Sequence, residues 1–353
     1  MVTLDKVFTA EGSPNIALIK YWGKRDERLI LPFNSSLSIT FDHKALRTVT
    51  SVMFSKKLRK DIFYLDGKKQ NLDDKDIKER FAIVETMRRM AKVNARVIVV
   101  SQNYFPTASG LASSASGIAT LVYVINKALG LRLNAKEMSI IARQGSGSAS
   151  RSLFGGVVVW NKGNRRDGKD SFAKQLFKED YWPELIDNIV VVSTGKKKVP
   201  SRAGMRATVN ANPLFKQRAT SAQSRLAEIK RAFKAKDISK VAECTIADSN
   251  EMHALMLSTV PSIRYLNVAS YAIMDAIEEL NAREGKAIAG YTFDAGPNAN
   301  IITLSKYQSR VIKVLSQLKK RGMISYVKTS GLGEGPRMLP ESRSLIKKSM
   351  LSR

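Results

Sequence analysis

Four short segments hold most of the residues able to do chemistry. The run Asn15-Ile-Ala-Leu-Ile-Lys-Tyr-Trp-Gly-Lys-Arg-Asp26 sets Lys20 and Lys24 on either side of Tyr21, Trp22 and a kink at Gly23. Two ammonium groups so close together suit an anion. From Pro106 to Gly117 the side chains are small, among them Ser109, Gly110, Leu111, Ala112, Ser113, Ser114 and Ala115, and an apolar helical stretch follows directly. Small residues let a phosphate approach the backbone, and the free N–H groups and dipole of a helix start favour it. The spacing of a Walker loop is absent, which argues against a P-loop nucleotidase. Gln144 to Arg151 puts Ser146, Gly147 and Ser148 ahead of Arg151, and a guanidinium fork fits a carboxylate by two points. Phe293-Asp-Ala-Gly-Pro-Asn298 closes an apolar run with Asp294, where the turn can expose a carboxylate to a cleft; a plain Asx turn before Pro297 is the blander use. One phosphate-handling site built from all four segments accounts for them together.

Other candidates carry less by themselves. Each lysine or arginine, taken alone, is more often a surface charge than a ligand. Cys244 sits among Val241, Ala242 and Ile246 and reads as a buried, inert thiol that has no partner for a disulfide. His43 and His253 are too few and too far apart in sequence to form a metal cluster with it. Trp160 and Trp182 read as packing residues, and the three tryptophans lack the spacing of a stacking surface.

The elements that must position these residues alternate between strand and helix character. Thr48 to Met53, Ile62 to Tyr64 and Arg96 to Val100 predict strands. Ile77 to Lys92, Ser114 to Leu129 (closed by Gly130) and Ala135 to Arg143 (capped by Asn134) predict helices. Gly155 to Trp160 and Asn188 to Val192 return to strand character. A polar, lysine-rich loop then precedes helices near Pro213 to Lys234, Ile238 to Leu257 and Ser262 to Ala282. Strands at Ala287 to Phe293, Asn300 to Leu304 and Ile324 to Lys328 flank a helix near Gln308 to Leu318. That order is α+β, with a boundary near residues 185 to 195, dividing the chain into 1–190, 191–340 and a basic tail 341–353.

The chain of 353 residues is 44% hydrophobic, enough for a substantial core. No apolar run is long enough for a membrane span, and the N-terminus lacks a secretory core, so a cytoplasmic protein is expected. The net charge of +28 raises the question of nucleic acid. Lysine and arginine are spread along the whole chain, however, with short clusters only at Lys196 to Lys198, Lys319 to Arg321 and Lys347-Lys348, and no aromatic interleaving. A solvated surface that steers anionic substrates is the reading, and a basic nucleic-acid binder on a kinase scaffold is the alternative of another class.

The Pro-x3-Gly-Leu-x-Ser-Ser-Ala pattern at residues 106–115 resembles the phosphate loop of the galactokinase, homoserine kinase, mevalonate kinase and phosphomevalonate kinase superfamily. With Asn15 to Asp26, Gly145 to Gly156 and Tyr291 to Ala299, the chain is similar to the diphosphomevalonate decarboxylases from residue 9 to about 340. That resemblance implies two lobes, one like ribosomal protein S5 domain 2 and one ferredoxin-like, with the active site in the cleft between them. It implies ATP-dependent phosphorylation of the tertiary 3-hydroxyl of diphosphomevalonate, followed by loss of phosphate and CO2 to give isopentenyl diphosphate.

Residue by residue, the resemblance gives Asp294 the 3-hydroxyl, Lys24 support of that aspartate and of the transferring phosphate, and Arg151 the substrate carboxylate. Lys20, Tyr21, Trp22, Gly23, Ser146, Gly147 and Ser148 then line the substrate, Arg80, Ser201 and Arg202 hold its diphosphate, and Pro106 and residues 109–115 hold ATP. Mg2+ arrives with the nucleotide, with Ser114 in reach. Ser150 stands where many relatives carry Cys, a conservative change. A homodimer is expected by the same likeness. A phosphomevalonate decarboxylase or a mevalonate 3-kinase on the same fold is the alternative, disfavoured for the 3-kinase by the presence of Asp294 and Lys24.

Overall fold

The computed structural model of the chain describes residues 3–105, 113–192 and 199–351. Its first half runs β1 (Phe8–Gly12), β2 (Asn15–Ile19), β3 (Lys24–Asp26), β4 (Leu31–Pro32), β5 (Ser36–Thr40), β6 (Thr48–Ser55), β7 (Ile62–Leu65), β8 (Lys68–Lys69), α1 (Lys75–Met90), β9 (Arg96–Asn103), α2 (Ser113–Ala128), α3 (Ala135–Gly145), β10 (Val157–Trp160) and β11 (Ala173–Phe177). The second half follows as β12 (Leu185–Val191), α4 (Ser201–Ala211), α5 (Phe215–Ala235), α6 (Ile238–Leu257), α7 (Val268–Arg283), β13 (Ala289–Phe293), β14 (Ala299–Leu304), α8 (Gln308–Lys320), β15 (Tyr326–Gly331) and β16 (Arg337–Leu339).

Three larger sheets result, in the orders β16-β1-β6-β9-β7-β8, β11-β10-β5-β2 and β13-β14-β12-β15. The third has the β-α-β-β-α-β course and antiparallel pairing of a ferredoxin-like unit, with β12 between β14 and β15. The helices α1, α2 and α3 cover the first sheet through a core that includes Val52, Val97, Ile118, Val122 and Ile141. The second and third sheets share a core with α5 and α6, in which Ile16, Leu37 and Val159 meet Leu185, Ile189 and Ile302. Helices α7 and α8 close the far side of the third sheet over Tyr291, Phe293 and Ile301.

Local signals work where they are complete. Asn134 and Glu137 form a reciprocal capping box at the start of α3. Gly130 takes a φ of +60° past the end of α2, and the Leu131 N–H reaching back to the Asn126 carbonyl completes a C-cap. Cys244 is buried in α6, where burial pushes its thiol up to about 12.

Three readings are corrected. The stretch expected as loop before Pro213 contains α4, an 11-residue helix with no side-chain cap at its start; its register is set by packing, since a Cβ on Gly204 would come within 2.7 Å of the Tyr265 hydroxyl. The cut at residue 190 falls inside β12, whose ladder partners all lie in the second half. The C-terminal residues return to the first half: β16 pairs with β1, and Leu345, Ile346 and Met350 of the basic tail pack on Met53, Ile62, Ile98 and Val100. Among the described residues, no helix is long and apolar enough to cross a membrane.

Candidate active site

The second and third sheets place their strand ends together. Lys20 follows β2 and Asp294 follows β13, 274 residues apart, and Lys20 Nζ donates to Asp294 Oδ1 at 2.7 Å. The lysine side chain is 2% exposed, whereas the carboxylate is 37% exposed. A buried ammonium therefore holds a carboxylate that still faces solvent, as a group acting on a substrate must.

The sequence expectation gave this task to Lys24. The structure instead pairs Lys24 Nζ with Glu27 Oε2 at 2.7 Å, and Arg206 of α4 lies 3.5 Å from the same oxygen. The reason is the turn. Gly23 has a φ of +93°, and a Cβ there would sit 2.4 Å from the Phe215 ring, so the chain reverses tightly and sends Lys24 into the β3–β4 ribbon. Trp22 also departs from its expected place on the substrate. It is buried beneath α4 with Phe215 and Tyr265, its indole N–H bonded to Thr208 Oγ1 at 3.2 Å.

Arg151 lies just past the one-turn helix Gly147–Ser150. Its Nε donates to Asn15 Oδ1 at 3.2 Å and Ser38 Oγ at 3.0 Å, its Nη1 donates to Ser36 Oγ at 2.6 Å, and the guanidinium sits 5.9 Å over Trp160. Burial lowers its pKa to about 10, opposed first by the charge of Asp294, so the two groups share one electrostatic neighbourhood. Ser36 and Ser38 were missed as candidates. Their signal was the Ser-Leu-Ser-Ile-Thr alternation of β5, which turns the hydroxyls to one face and the apolar side chains to the other.

Tyr21 is half-buried against Trp160, ring centroids 4.7 Å apart, and its buried hydroxyl lacks a hydrogen-bond partner. Burial first, then Glu27, pushes its pKa upward, so the phenol stays protonated. Gly147 is required here, because a Cβ would come within 2.7 Å of the Tyr21 ring. The hydroxyls of Ser146 and Ser148 are 3.3 Å apart, Ser146 is 3.5 Å from Ser114, and Asn15 Nδ2 holds the Ser148 carbonyl at 3.1 Å. Ser150 is buried and donates to the Gly147 carbonyl at 2.7 Å, closing the turn.

The diphosphate candidates meet across the cleft. Arg202, at the start of α4, pairs with Glu79 of α1 at 2.5 Å and donates to the Gly145 carbonyl at 2.8 Å. Arg80 is next to Glu79, and burial together with the charge of Arg202 lowers its pKa. Two guanidiniums in each other's field invite a multiply charged anion. Ser201 opens α4 after Pro200, half-buried.

Beside Arg80 lies a cavity of about 400 Å³ between β7, β9, α1 and α2, lined by Phe63, Gln70, Ser101, Asn103 and Ser114 among others. Sequence reasoning missed this pocket, since its walls come from six elements, β6 and β8 contributing Thr50 and Lys68. Of the proposed phosphate loop, Pro106, Ser109, Gly110, Leu111 and Ala112 lie outside the described residues, as do Lys196 to Lys198; Ser113 and the buried Ala115 are in the first turn of α2. Among the described residues no three His, Cys, Asp or Glu side chains gather as a metal site.

His253, weighed in the sequence only as a metal ligand, also lies at this site. Its Nε2 is buried without a partner, and burial, then the charge of Lys20, lowers its pKa to about 4. The imidazole is therefore neutral beside the Lys20–Asp294 pair.

A two-lobed α+β fold with a ferredoxin-like second lobe and the Lys20–Asp294 ion pair in the interlobe cleft places the chain among the small-molecule kinase-type enzymes of the galactokinase superfamily. Residues 12–173 match the diphosphomevalonate decarboxylase-like N-terminal domain, and residues 188–331 match the mevalonate 5-diphosphate decarboxylase C-terminal domain. The human diphosphomevalonate decarboxylase is 42% identical over 84% of this chain and 76% of its own length, and the Schizosaccharomyces pombe enzyme is 40% identical over 96% and 95%. The crystal structure of the Staphylococcus aureus mevalonate diphosphate decarboxylase superposes with a TM-score of 0.86 at 35% identity, covering 95% of this chain and 98% of the other. The Enterococcus faecalis enzyme, described for its mevalonate diphosphate mediated ATP binding, superposes with a TM-score of 0.84 at 35% identity over 94% and 98%. The chain belongs to the diphosphomevalonate decarboxylase family.

Proposed function

We propose that the protein decarboxylates diphosphomevalonate to isopentenyl diphosphate at the expense of ATP, with Asp294 acting on the 3-hydroxyl. The Lys20–Asp294 contact at 2.7 Å carries this reading. A carboxylate held by a buried ammonium and still open to solvent can orient the tertiary alcohol and take its proton as the oxygen attacks the γ-phosphorus. ADP leaves, and the 3-oxygen becomes a phosphate ester. The C3–O bond then breaks with phosphate departing, the C1–C2 bond breaks with CO2 departing, and the electron pair of the latter becomes the C2–C3 double bond.

Arg151 suits the substrate carboxylate, being buried and charged and bonded through Nε and Nη1 to neutral oxygens. A guanidinium there holds C1 in the orientation that loss of CO2 needs. Arg80, Ser201 and Arg202 suit the diphosphate, with Lys24 and Arg206 meeting at Glu27 as further cations for it. The cavity beside Arg80 suits the nucleotide, and a relative's structure is described as a complex with MVAPP, AMPPCP and magnesium. In this reading Ser114 would hold Mg2+, whose charge offsets that on the transferring phosphoryl group. A homodimer and a cytoplasmic location belong to the same reading.

The test is an assay of the protein and of Asp294→Asn with ATP and diphosphomevalonate, following ADP and CO2 separately. The parent is expected to release both in equal amounts, and the variant to lose about a thousandfold of both, the range of a positioned acid–base group. ADP formed without CO2 by the parent, or parental rates in the variant, would refute the assignment.

A further inference from the structure

Lys20 is useful only if its ammonium stays where it is, and a lysine side chain gives up about 2 kcal/mol of rotamer freedom when fixed. The fixing begins at the main chain. The last paired residue of β2 is Ile19, opposite Leu37, so the Lys20 amide and carbonyl lie just beyond the ladder and need partners from side chains. Asp248 Oδ2 accepts the Lys20 N–H at 2.6 Å, and Asn34 Nδ2 donates to the Lys20 carbonyl at 3.0 Å. Asp248 belongs to α6 and is fully buried, and its place is set by Arg218 Nη2 at 2.9 Å and Arg225 Nη1 at 3.0 Å. Arg225 is fixed in turn by Glu251 at 2.7 Å. A carboxylate serving the two arginines alone would leave Oδ2 to Arg218. Here the same oxygen also takes the amide of the residue whose side chain reaches Asp294, in a charge-assisted bond inside the core.

We propose that Asp248 and Asn34 are positioning residues for the decarboxylation, gripping the Lys20 peptide group from both sides so that its ammonium rests on Asp294. The inference depends on Asp294 acting on the 3-hydroxyl, and the experiment separates the two. Steady-state kinetics with ATP and diphosphomevalonate are measured for the parent, Asp248→Ala, Asp248→Asn, Asn34→Ala, Asp294→Asn and Arg88→Gln, with rates referred to the folded fraction from circular dichroism. Arg88 supplies a matched control, since its pair with Asp61 at 2.7 Å is buried in the first lobe and neither residue lines the cavity beside Arg80.

Misplacing a reacting group by an ångström costs about a hundredfold in rate. Asp248→Ala is expected to lose about that much in kcat with both KM values near the parent's. Asp248→Asn keeps an oxygen for the Lys20 amide and is expected to recover about tenfold of the loss. Asn34→Ala is expected to lose about tenfold in kcat alone, and it decides the matter if Asp248→Ala does not fold. Arg88→Gln should lose stability and keep its kcat. Parental kcat in folded Asn34→Ala and Asp248→Ala, with Asp294→Asn inactive, overturns this inference and leaves the role of Asp294 standing. An active Asp294→Asn overturns both.

Discussion

Replacing Asp187 by valine should stabilise the protein, and by more as the pH rises. Asp187 is 1% exposed, and neither carboxyl oxygen has a hydrogen-bond partner of good geometry. Strand alternation turns it to the same face as Leu185, Ile189 and Val191, into the core shared with Ile302 of the paired strand. Burial holds its carboxyl well above the usual 3.8, offset only in part by the Ile301 main chain and the charge of Lys20. The sign follows from proton counting. Above pH 3.8 the unfolded chain releases a proton that the native state keeps, so stability falls as pH climbs from there toward the raised value. The neutral acid without partners costs about 1–3 kcal/mol, and each pH unit in the window adds about 1.4 kcal/mol. Valine removes both. Urea unfolding at pH 4.5 to 7, followed by the fluorescence of Trp182 in the same core, should show the variant ahead of the parent throughout, with the gap widening up to the raised pKa. A less stable variant at pH 7, or a gap that stays flat between pH 4.5 and 6, would refute the reasoning.

Three further outcomes follow from the site. Lys20→Met should cost about a hundredfold in kcat, the rate cost of misplacing a reacting group by an ångström, while Lys24→Met should act mainly on the KM for diphosphomevalonate; a kcat loss for Lys24→Met as large as that for Lys20→Met would reverse the assignment. Arg202→Met should raise that KM about tenfold or more, the worth of a charge-assisted hydrogen bond, and an unchanged KM would take Arg202 off the substrate. His253, with its pKa lowered to about 4, contributes stability that is fully present above 6.5 and is lost as pH falls toward 4, by about 3 kcal/mol in all; His253→Gln should flatten the acid side of the stability profile by that amount, and an unaltered slope in urea melts would show the ring titrating normally.

Much of the fold could be read locally, and the exceptions have a common cause. The span of α6, Ile238–Leu257, is the span that its apolar periodicity predicts, and β9 and α3 begin where their signals do. Helix α4 escaped because Pro200 gives it no side-chain cap and it is held from outside, by Trp22 and Tyr265 against Gly204. Strand β2 escaped because all five of its residues are buried, which erases the alternation that marks a one-sided strand. Strand β16 exists through its pairing with β1, more than 300 residues away. Asp294 and Arg151 stood out in the sequence because each ends an element in a turn of small residues. Which lysine meets Asp294 was not legible, because Lys20 and Lys24 are four residues apart and the choice is made by the packing of two sheets and by the reversal at Gly23.

The cations of the cleft divide by what compensates them, and the division matches the jobs proposed for them. Lys24 and Arg202 are paired with Glu27 and Glu79, carboxylates that are 44% and 47% exposed. Pairs of that kind contribute about 1 kcal/mol or less, so an incoming diphosphate can take the place of either glutamate at small cost and then leave again as product. Arg151 is different. It is buried, its pKa is depressed to about 10, and its hydrogen bonds to Asn15, Ser38 and Ser36 go to an amide and two hydroxyls, which orient the fork without neutralising it. Holding that charge in the core costs the empty protein stability, and a substrate carboxylate bound there offsets the cost. The bond that must break, C1–C2, is thus anchored at the point where the site has most to gain from an anion, and the diphosphate, which must exchange, is held where it has least.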